Sequence, residues 1–451
     1  MLKPPVCRNT NQLVREAFAT TLKVLAIKVP AKQVGPVTKQ FGDNLLNLPR
    51  LRNVIDPKPV DSAKPQKLIL LHRDFHQVQD LPKEMQQWIL QEGCETCQHT
   101  VALDYDYWSA DDILRAILPE SLQAPTSFET VGHIAHMNLR EEYLPYRHII
   151  GQVILDKARA ITTVVNKLDN IDTTFRFFKM EVLAGSPDFM AETRENDCRF
   201  RFDFSKVYWN SRLHTEHERL VKSFSPGDYV CDVFAGVGPF ALPAAKRGCF
   251  VYANDLNPES YRWLQENIQI NKVDKQVLPS NLDGREFIRH AFADLWKTKG
   301  QQFQPYVKPS KRKATPKETT STSSPVPDLP QFVTFQHVVM NLPATAIEFL
   351  DAFKGVLHGQ KEEMVTHNIP LPFIHVHCFT KSDDPAQDLF GRISQAIGHS
   401  ITESTPETKL HFVRKVAPKK DMYCATFRLP EAVAFSTLKR KASSDTATTG
   451  S

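Results

Sequence analysis

The sequence predicts an α/β protein built on an open, doubly wound sheet, with two smaller α+β domains ahead of it. Three observations carry that prediction. The stretch DVFAGVGPF at residues 232–240 follows an apolar run at residues 229–234, so it reads as a strand breaking into a glycine turn that opens a helix. A second apolar run, residues 250–254, ends in Asp255 and leads through Leu256-Asn257-Pro258 into a helical stretch reaching about residue 271. Further strand patterns near residues 276–279 and 335–340 repeat this strand-turn-helix order, as a parallel sheet with helices on its faces requires.

Each element has a chemical reading and a plainer one. Gly236 and Gly238 let the backbone approach a ligand that any Cβ would push away. Gly236-x-Gly238-x-x-Ala241 also fits a relaxed dinucleotide fingerprint, with a pyrophosphate on the helix N-terminus. Asp255, seventeen residues past Gly238, can accept hydrogen bonds from both hydroxyls of a ribose, which suits NAD and S-adenosylmethionine alike. Asn281-Leu282-Asp283-Gly284-Arg285 places a carboxylate where an adenine amino group can be read. Asn341-Leu342-Pro343-Ala344 follows the fourth strand at the edge where open α/β sheets bind ligands. The plainer readings are a turn cap at Asp232, a helix N-cap region at Asp255 and a turn at Asp283-Gly284. Taken together, the three acids and Asn-Leu-Pro favour a Rossmann-like, class I methyltransferase sheet over a dehydrogenase.

The chain has 451 residues, enough for two or three domains. The boundaries expected are 1–120, 121–205 and 206–435, with an unstructured insert at about 298–330 and a tail at 436–451. Hydrophobic residues at 41% are ordinary for a globular protein, and no apolar run is long enough to span a membrane. A net charge of +5 permits a nucleic-acid partner without requiring one. Eight scattered cysteines suit a reducing compartment, and Cys94 and Cys97 with His99 lack a second ligand pair, so no metal site is expected. The first 42 residues hold seven basic residues and one acid, a bias shared with mitochondrial presequences. Val14, Phe18, Leu22, Leu25 and Val29 fit one helical face, which would serve a presequence or the core of a first domain. Lys-Arg-Lys at 311–313 and 439–441 reads as a nuclear import signal or as solvated charge. Residues 373–379 and 422–427 complete the sheet, with His375 and His377 sharing a face as satisfied sheet histidines.

The runs VGHIAHMNLREEYLPYRHIIGQVILDK from residue 131, FRFFKMEVLAG from 175, NSRLHTEHERL from 210, DVFAGVGPF and NLPA together resemble one family. It is the archaeal and eukaryotic tRNA (guanine-N1)-methyltransferases that modify guanosine 37, and the likeness covers residues 131–427. The resemblance implies an N-terminal domain touching the tRNA elbow, a small middle domain and a methyltransferase domain using S-adenosylmethionine, in a chain working as a monomer. It implies that His217, Asp255, Leu256, Asp283, Gly284 and Asn341 line the cofactor beside Asp232, Gly236 and Gly238. Arg176, Glu216 and Asn341 would surround the target base, with Asn210 and Arg212 also on the substrate side. Position 217 is His here and Arg in the archaeal pattern, so a donated hydrogen bond replaces a fixed charge.

Methylating guanine N1 requires removal of its proton, and Glu216 is the expected general base, with burial raising its pKa. It lies four residues after Arg212 on a helix beginning near Leu213; an ordinary Arg212–Glu216 helix pair is the plainer reading. Arg176 would stabilise charge developing on O6, unless it pairs with Glu181. No aromatic residue follows Pro343-Ala344, in keeping with a ring-nitrogen target. The rival activities are aminocarboxypropyl transfer at the same tRNA position, NAD-dependent oxidation and catalytically silent tRNA binding. Pools in the mitochondrial matrix, nucleus and cytoplasm are all compatible with the sequence.

Overall fold

The computed structural model describes residues 2–8, 10, 12–57, 66–171, 178–306 and 333–437. Two compact units result: Met1–Phe128 with Met137–Asn166 and Val182–Ser186, and Glu129–His136 with Lys167–Glu181 and Pro187–Ser451.

In the first unit the expected helical face at residues 14–29 is replaced by a 3-10 turn, Arg15–Phe18, and an eleven-residue strand β1, Thr20–Pro30. The reason is a period of two. Leu25, Ile27 and Val29 enter one apolar cluster while Val24 and Ala26 enter another, so both faces of the strand are buried. With β2 (Val54–Ile55), β3 (Gln66–Leu70) and β4 (Glu95–Leu103) it forms a sheet of order β2-β3-β1-β4, antiparallel to both neighbours. Helices α1 (Val34–Gln40), α2 (Lys83–Gln91) and α3 (Ala110–Ile117) accompany it. Ser109 and Asp112 close a capping box at the start of α3, which buries Ile113, Leu114 and Ile117. A second sheet has the order β5 (Glu129–Val131), β6 (Ile134–Met137), β7 (Thr163–Ile171), β8 (Phe178–Gly185), with α4 (Arg147–Lys157) between β6 and β7.

From Pro187 on, the second unit continues with a hairpin, β9 (Met190–Glu195) and β10 (Cys198–Asp203), whose turn residues Asn196 and Asp197 both take positive φ. Helix α5 (His214–Lys222) precedes β11 (Tyr229–Asp232), and α6 (Ala241–Lys246) follows the glycine turn. The chain continues through β12 (Phe250–Asn254), α7 (Pro258–Asn271), β13 (Val277–Ser280), α8 (Gly284–Thr298) and β14 (His337–Met340). It ends with α9 (Lys361–Thr366), β15 (Phe373–Thr380), α10 (Pro385–Ile397), β16 (Lys409–Ala417), β17 (Lys420–Arg428) and α11 (Glu431–Ala434). The sheet order is β13-β12-β11-β14-β15-β17-β16, with β17 antiparallel to both of its neighbours and the other pairs parallel. The order reverses between β11 and β14, and a ligand crevice opens at such a switch point. All four residues of β11 and of β14 are buried, as strands covered on both faces must be.

Three sequence expectations change. The first strand ends at Asp232 rather than residue 234, although the Val233 amide still donates to the Val339 carbonyl at 2.9 Å. The insert begins as packed chain: α8 runs to Thr298, and Phe303 is buried against Phe250 and Tyr252 at 5.2 and 5.5 Å between ring centres. Strand β16 was not anticipated, because its mostly exposed, basic sequence shows no apolar alternation. The Lys-Arg-Lys runs at 311–313 and 439–441 lie outside the described residues.

Candidate active site

The glycine turn holds its shape through the acid on the neighbouring strand. Asp255 accepts from the Gly236 amide at 2.8 Å with one oxygen and from the Asn257 amide at 2.9 Å with the other. Burial drives its pKa up to about 6 against the pull of those two amides. Asp255 thus caps the turn at Gly236. Asn281 braces the same loop by donating to the carbonyls of Asp255 and Leu256 at 2.7 and 3.0 Å.

Asp232 is fully buried, and beyond a weak approach of the Phe234 amide its carboxylate oxygens have no hydrogen-bond partner among the described residues. Burial first, and the nearby Asp255 second, push its pKa up to about 8. This buried, mainly protonated acid ends a central strand at the sheet edge where open α/β sheets bind ligands. The two glycines serve different purposes. Gly236 has φ +56° and open space where a Cβ would stand, whereas a Cβ on Gly238 (φ +100°) would lie 2.8 Å from Leu242 and 3.0 Å from Leu264. The first leaves room for a ligand; the second lets α6 and α7 pack.

The remaining cofactor candidates border the same edge. Asp283 caps α8 with one oxygen, accepting from the Arg285 amide at 2.9 Å, while its other oxygen makes no hydrogen bond among the described residues. Gly284 allows the Phe234 and Phe349 rings to meet edge-to-face at 5.0 Å, since a Cβ there would touch Phe234 at 2.9 Å. Leu256 stands 48% exposed beside Asp255, and Asn341 keeps a buried Oδ1 without a partner. His217 is buried, bonded through Nδ1 to Glu195 at 2.5 Å and set edge-on to Phe240, the last residue of the glycine turn. A buried acid, an amide oxygen with no partner among the described residues, an open glycine and an exposed leucine at one strand edge fit a cationic nucleoside cofactor.

Glu216 differs most from expectation. It does not pair with Arg212, whose guanidinium binds Glu129 at 2.8 Å. Arg219 grips both its oxygens at 2.6 and 2.7 Å, and His377 Nε2 approaches Oε1 at 2.8 Å from β15. Burial alone would raise the Glu216 pKa, yet Arg219 and His377 outweigh it and hold the carboxylate down to about 2. The expectation of a raised pKa is therefore reversed. His377 in turn is pushed up to about 10: burial opposes its charge, but Cys424 and Glu216 overcome it. Glu216, His377 and Cys424 are the one grouping with metal-ligand reach among the described residues. Arg219 already occupies the carboxylate, so we assign no metal.

Asn210 caps the 3-10 turn Ser211–Leu213 by accepting from the Arg212 amide at 3.1 Å, and its amide donates to Tyr208 at 3.2 Å. Arg176 lies outside the described residues. His375 is satisfied in the sheet by His337 and Thr426, as expected of it, while His377 reaches from the sheet to Glu216 through Nε2. Sequence reading missed His377 and Arg219 as partners of Glu216, and Cys424 as a neighbour of both. The usable signal was the His-x-His alternation on a strand, but no local pattern links residue 377 to residue 216.

Residues 191–296 match the TRM5/TYW2 methyltransferase domain family, and residues 110–188 match the TYW2 N-terminal domain family. A tRNA (guanine(37)-N(1))-methyltransferase of Schizosaccharomyces pombe is 49% identical over 94% of this chain and 95% of its own length. The proteins of that name from Batrachochytrium dendrobatidis and Saccharomyces cerevisiae are 47% and 42% identical, covering 96% and 95% of this chain and 91% and 95% of their own lengths. Among solved structures, aTrm5 in complex with tRNALeu aligns with a TM-score of 0.59 at 21% identity, covering 90% of this chain and all of that one. Trm5b of Pyrococcus abyssi aligns at 0.54 and 24% identity, over 90% of this chain and 99% of its own, and both likenesses concern the fold. With a glycine turn braced by Asp255, a buried Glu216 beside it in the same unit and relatives this similar end to end, the chain belongs to the tRNA (guanine(37)-N(1))-methyltransferase family.

Proposed function

We propose that the chain transfers a methyl group from S-adenosylmethionine to N1 of guanosine 37 in tRNA, working as a monomer. The observation that carries the mechanism is the Glu216 carboxylate, buried yet held ionised by Arg219 and His377. A pKa of about 2 keeps Glu216 in its proton-accepting form at neutral pH but weakens it as a base, so taking the N1 proton requires Arg219 or His377 to loosen its hold as the target base arrives. Asn341 Oδ1, buried and without a partner, accepts a hydrogen bond from the base edge. Arg176 belongs opposite O6 by resemblance to the family. Asp232, Asp255, Asp283, Leu256 and the open face of Gly236 hold the cofactor, with Asp232 facing its positive charge. Bound S-adenosylmethionine supplies the electrophilic methyl group.

The basic first 42 residues and the Lys-Arg-Lys runs support pools in the mitochondrial matrix, nucleus and cytoplasm. Because Phe18 and β1 belong to the core, a removable leader has to end before them. No helix among the described residues is long and apolar enough to cross a membrane.

The test is reaction of transcript tRNA, with guanosine or adenosine at position 37, with cofactor labelled on its methyl group. Mass spectrometry should find one labelled methyl on guanosine 37 and none on the adenosine transcript. A mass gain without the methyl label would instead establish aminocarboxypropyl transfer.

A further inference from the structure

Strand β16 is the outer edge of the large sheet and runs Lys409-Leu410-His411-Phe412-Val413-Arg414-Lys415-Val416-Ala417. Residues 409–420 contain five Lys or Arg residues, one histidine and no acid. Charge on an edge strand protects against strand-to-strand association, so lysines alone would need no further account. The register says more. His411 stands opposite Cys424 on β17, which stands opposite His377 on β15, so all three share the face that carries the Glu216 partners. His411 Nε2 lies 3.6 Å from Glu216 Oε2.

Two residues further on, simple alternation would put Val413 on that face. A bulge between Phe412 and Arg414 instead sets Arg414 opposite Met422, two residues from Cys424, and so returns Arg414 to the His411 side. Lys409 shares that side through its pairing with Thr426. Neither Lys409 nor Arg414 has a carboxylate partner among the described residues, and Lys409 is exposed. Burial raises the Tyr208 pKa, and Arg414, near enough to act against that rise, lies on the side of Asn210, which bonds the same hydroxyl.

We propose that the Lys409–His411–Arg414 face of β16 holds backbone phosphates of the single-stranded tRNA loop on either side of the target nucleotide. The inference rests on the activity proposed above. A base that is to reach Glu216 must be extruded, and Lys409 and Arg414 hold the strand from which it turns out, with His411, whose charged form burial disfavours, between them as a neutral hydrogen-bonding group. Their spacing along one strand suits successive phosphates rather than a single anion.

Methylation of the guanosine 37 transcript by Lys409→Ala/Arg414→Ala is measured across a series of salt concentrations. The expected result is a KM for tRNA raised about tenfold. The dependence of log kcat/KM on log salt should be shallower by about 0.7 per lost phosphate contact. S-adenosylmethionine binding by calorimetry should be unchanged, reporting an intact fold, and Arg414→Lys should retain the wild-type slope. If wild-type enzyme methylates the transcript and the double variant keeps both its KM and its slope, the surface is wrongly assigned. If wild-type enzyme leaves guanosine 37 unmethylated, the proposed activity falls. Equilibrium binding of the anticodon stem-loop at several salts then still decides the surface, an unchanged slope overturning it.

Discussion

His377 Nε2 sits 2.8 Å from Glu216 Oε1, with the histidine wholly buried and the glutamate 3% exposed. The two are 161 residues apart in sequence, and α5 and β15 bring them together. With Arg219 on both oxygens, the carboxylate is ionised throughout the neutral range. Glu216→Gln should therefore keep cofactor and tRNA affinity but lose about 10²-fold or more in single-turnover rate. Removing one cation lets the Glu216 pKa climb, so His377→Asn should move the acidic limb of the pH–rate profile upward while leaving KM for tRNA near its wild-type value. A limb in the same place in both enzymes would show that His377 does not set the ionisation of Glu216.

The same pair makes stability depend on pH in two windows. The Glu216 pKa falls from 4.5 unfolded to about 2 folded, so its contribution is present above pH 4.5 and lost as pH falls toward 2. The His377 pKa rises from 6.5 to about 10, so its contribution is complete below pH 6.5 and lost as pH rises toward 10. Thermal melts should be highest between about pH 4.5 and 6.5 as far as this pair decides. His377→Asn, destabilising overall because Glu216 loses a buried partner, should flatten the decline between pH 6.5 and 10. A decline as steep as that of the wild type would assign it to other groups.

Much of the sheet was legible because glycine, acid and proline punctuate it at fixed offsets. Gly236, Asp255, Asp283 and Asn341 all stand at strand ends, where local sequence decides the turn. The first strand was not legible: Val14, Phe18, Leu22, Leu25 and Val29 satisfy a helical period, and only the tertiary burial of Val24 and Ala26 on a second face reveals a period of two. Glu216 was found as a residue but with the wrong electrostatics. Burial was foreseeable from its place on an amphipathic helix, whereas Arg219 lay three residues away unnoticed and His377 could be reached only through the sheet. That Asp255 meets the Gly236 amide was not legible either, since which carboxylate reaches it depends on how two strands align.

Asp232 gives a prediction in which stability and binding move in opposite directions. Its pKa rises from 3.8 to about 8, so the folded state favours the protonated acid. That contribution is complete below pH 3.8 and lost as pH rises through 8. Without cofactor, Asp232→Asn should melt higher than wild type at pH 9 and no differently near pH 3.5. A cationic ligand facing Asp232 drives its proton off. Calorimetric titration of wild type with S-adenosylmethionine at pH 7 should thus show enthalpies that vary with the buffer's heat of ionisation. Asp232→Asn should abolish that variation and weaken binding at least tenfold. Buffer-independent enthalpies in the wild type would remove Asp232 from the cofactor's charge.

The two glycines of the turn separate packing from ligand space. At Gly238 an added methyl lies 2.8 Å from Leu242 and 3.0 Å from Leu264, with φ at +100°. Gly238→Ala should therefore destabilise the domain by about 1–3 kcal/mol through overpacking, with further strain from the backbone. At Gly236 the methyl meets nothing within 4 Å, and φ of +56° is a left-handed conformation that costs about 1–2 kcal/mol. What it does meet is the space into which a cofactor must come. Gly236→Ala should accordingly melt closer to wild type than Gly238→Ala while losing more cofactor affinity. Melting with and without S-adenosylmethionine resolves the two, because ligand-induced stabilisation reports affinity directly. Equal loss of ligand stabilisation in both variants would mean that Gly236 shapes the turn and does not border the ligand.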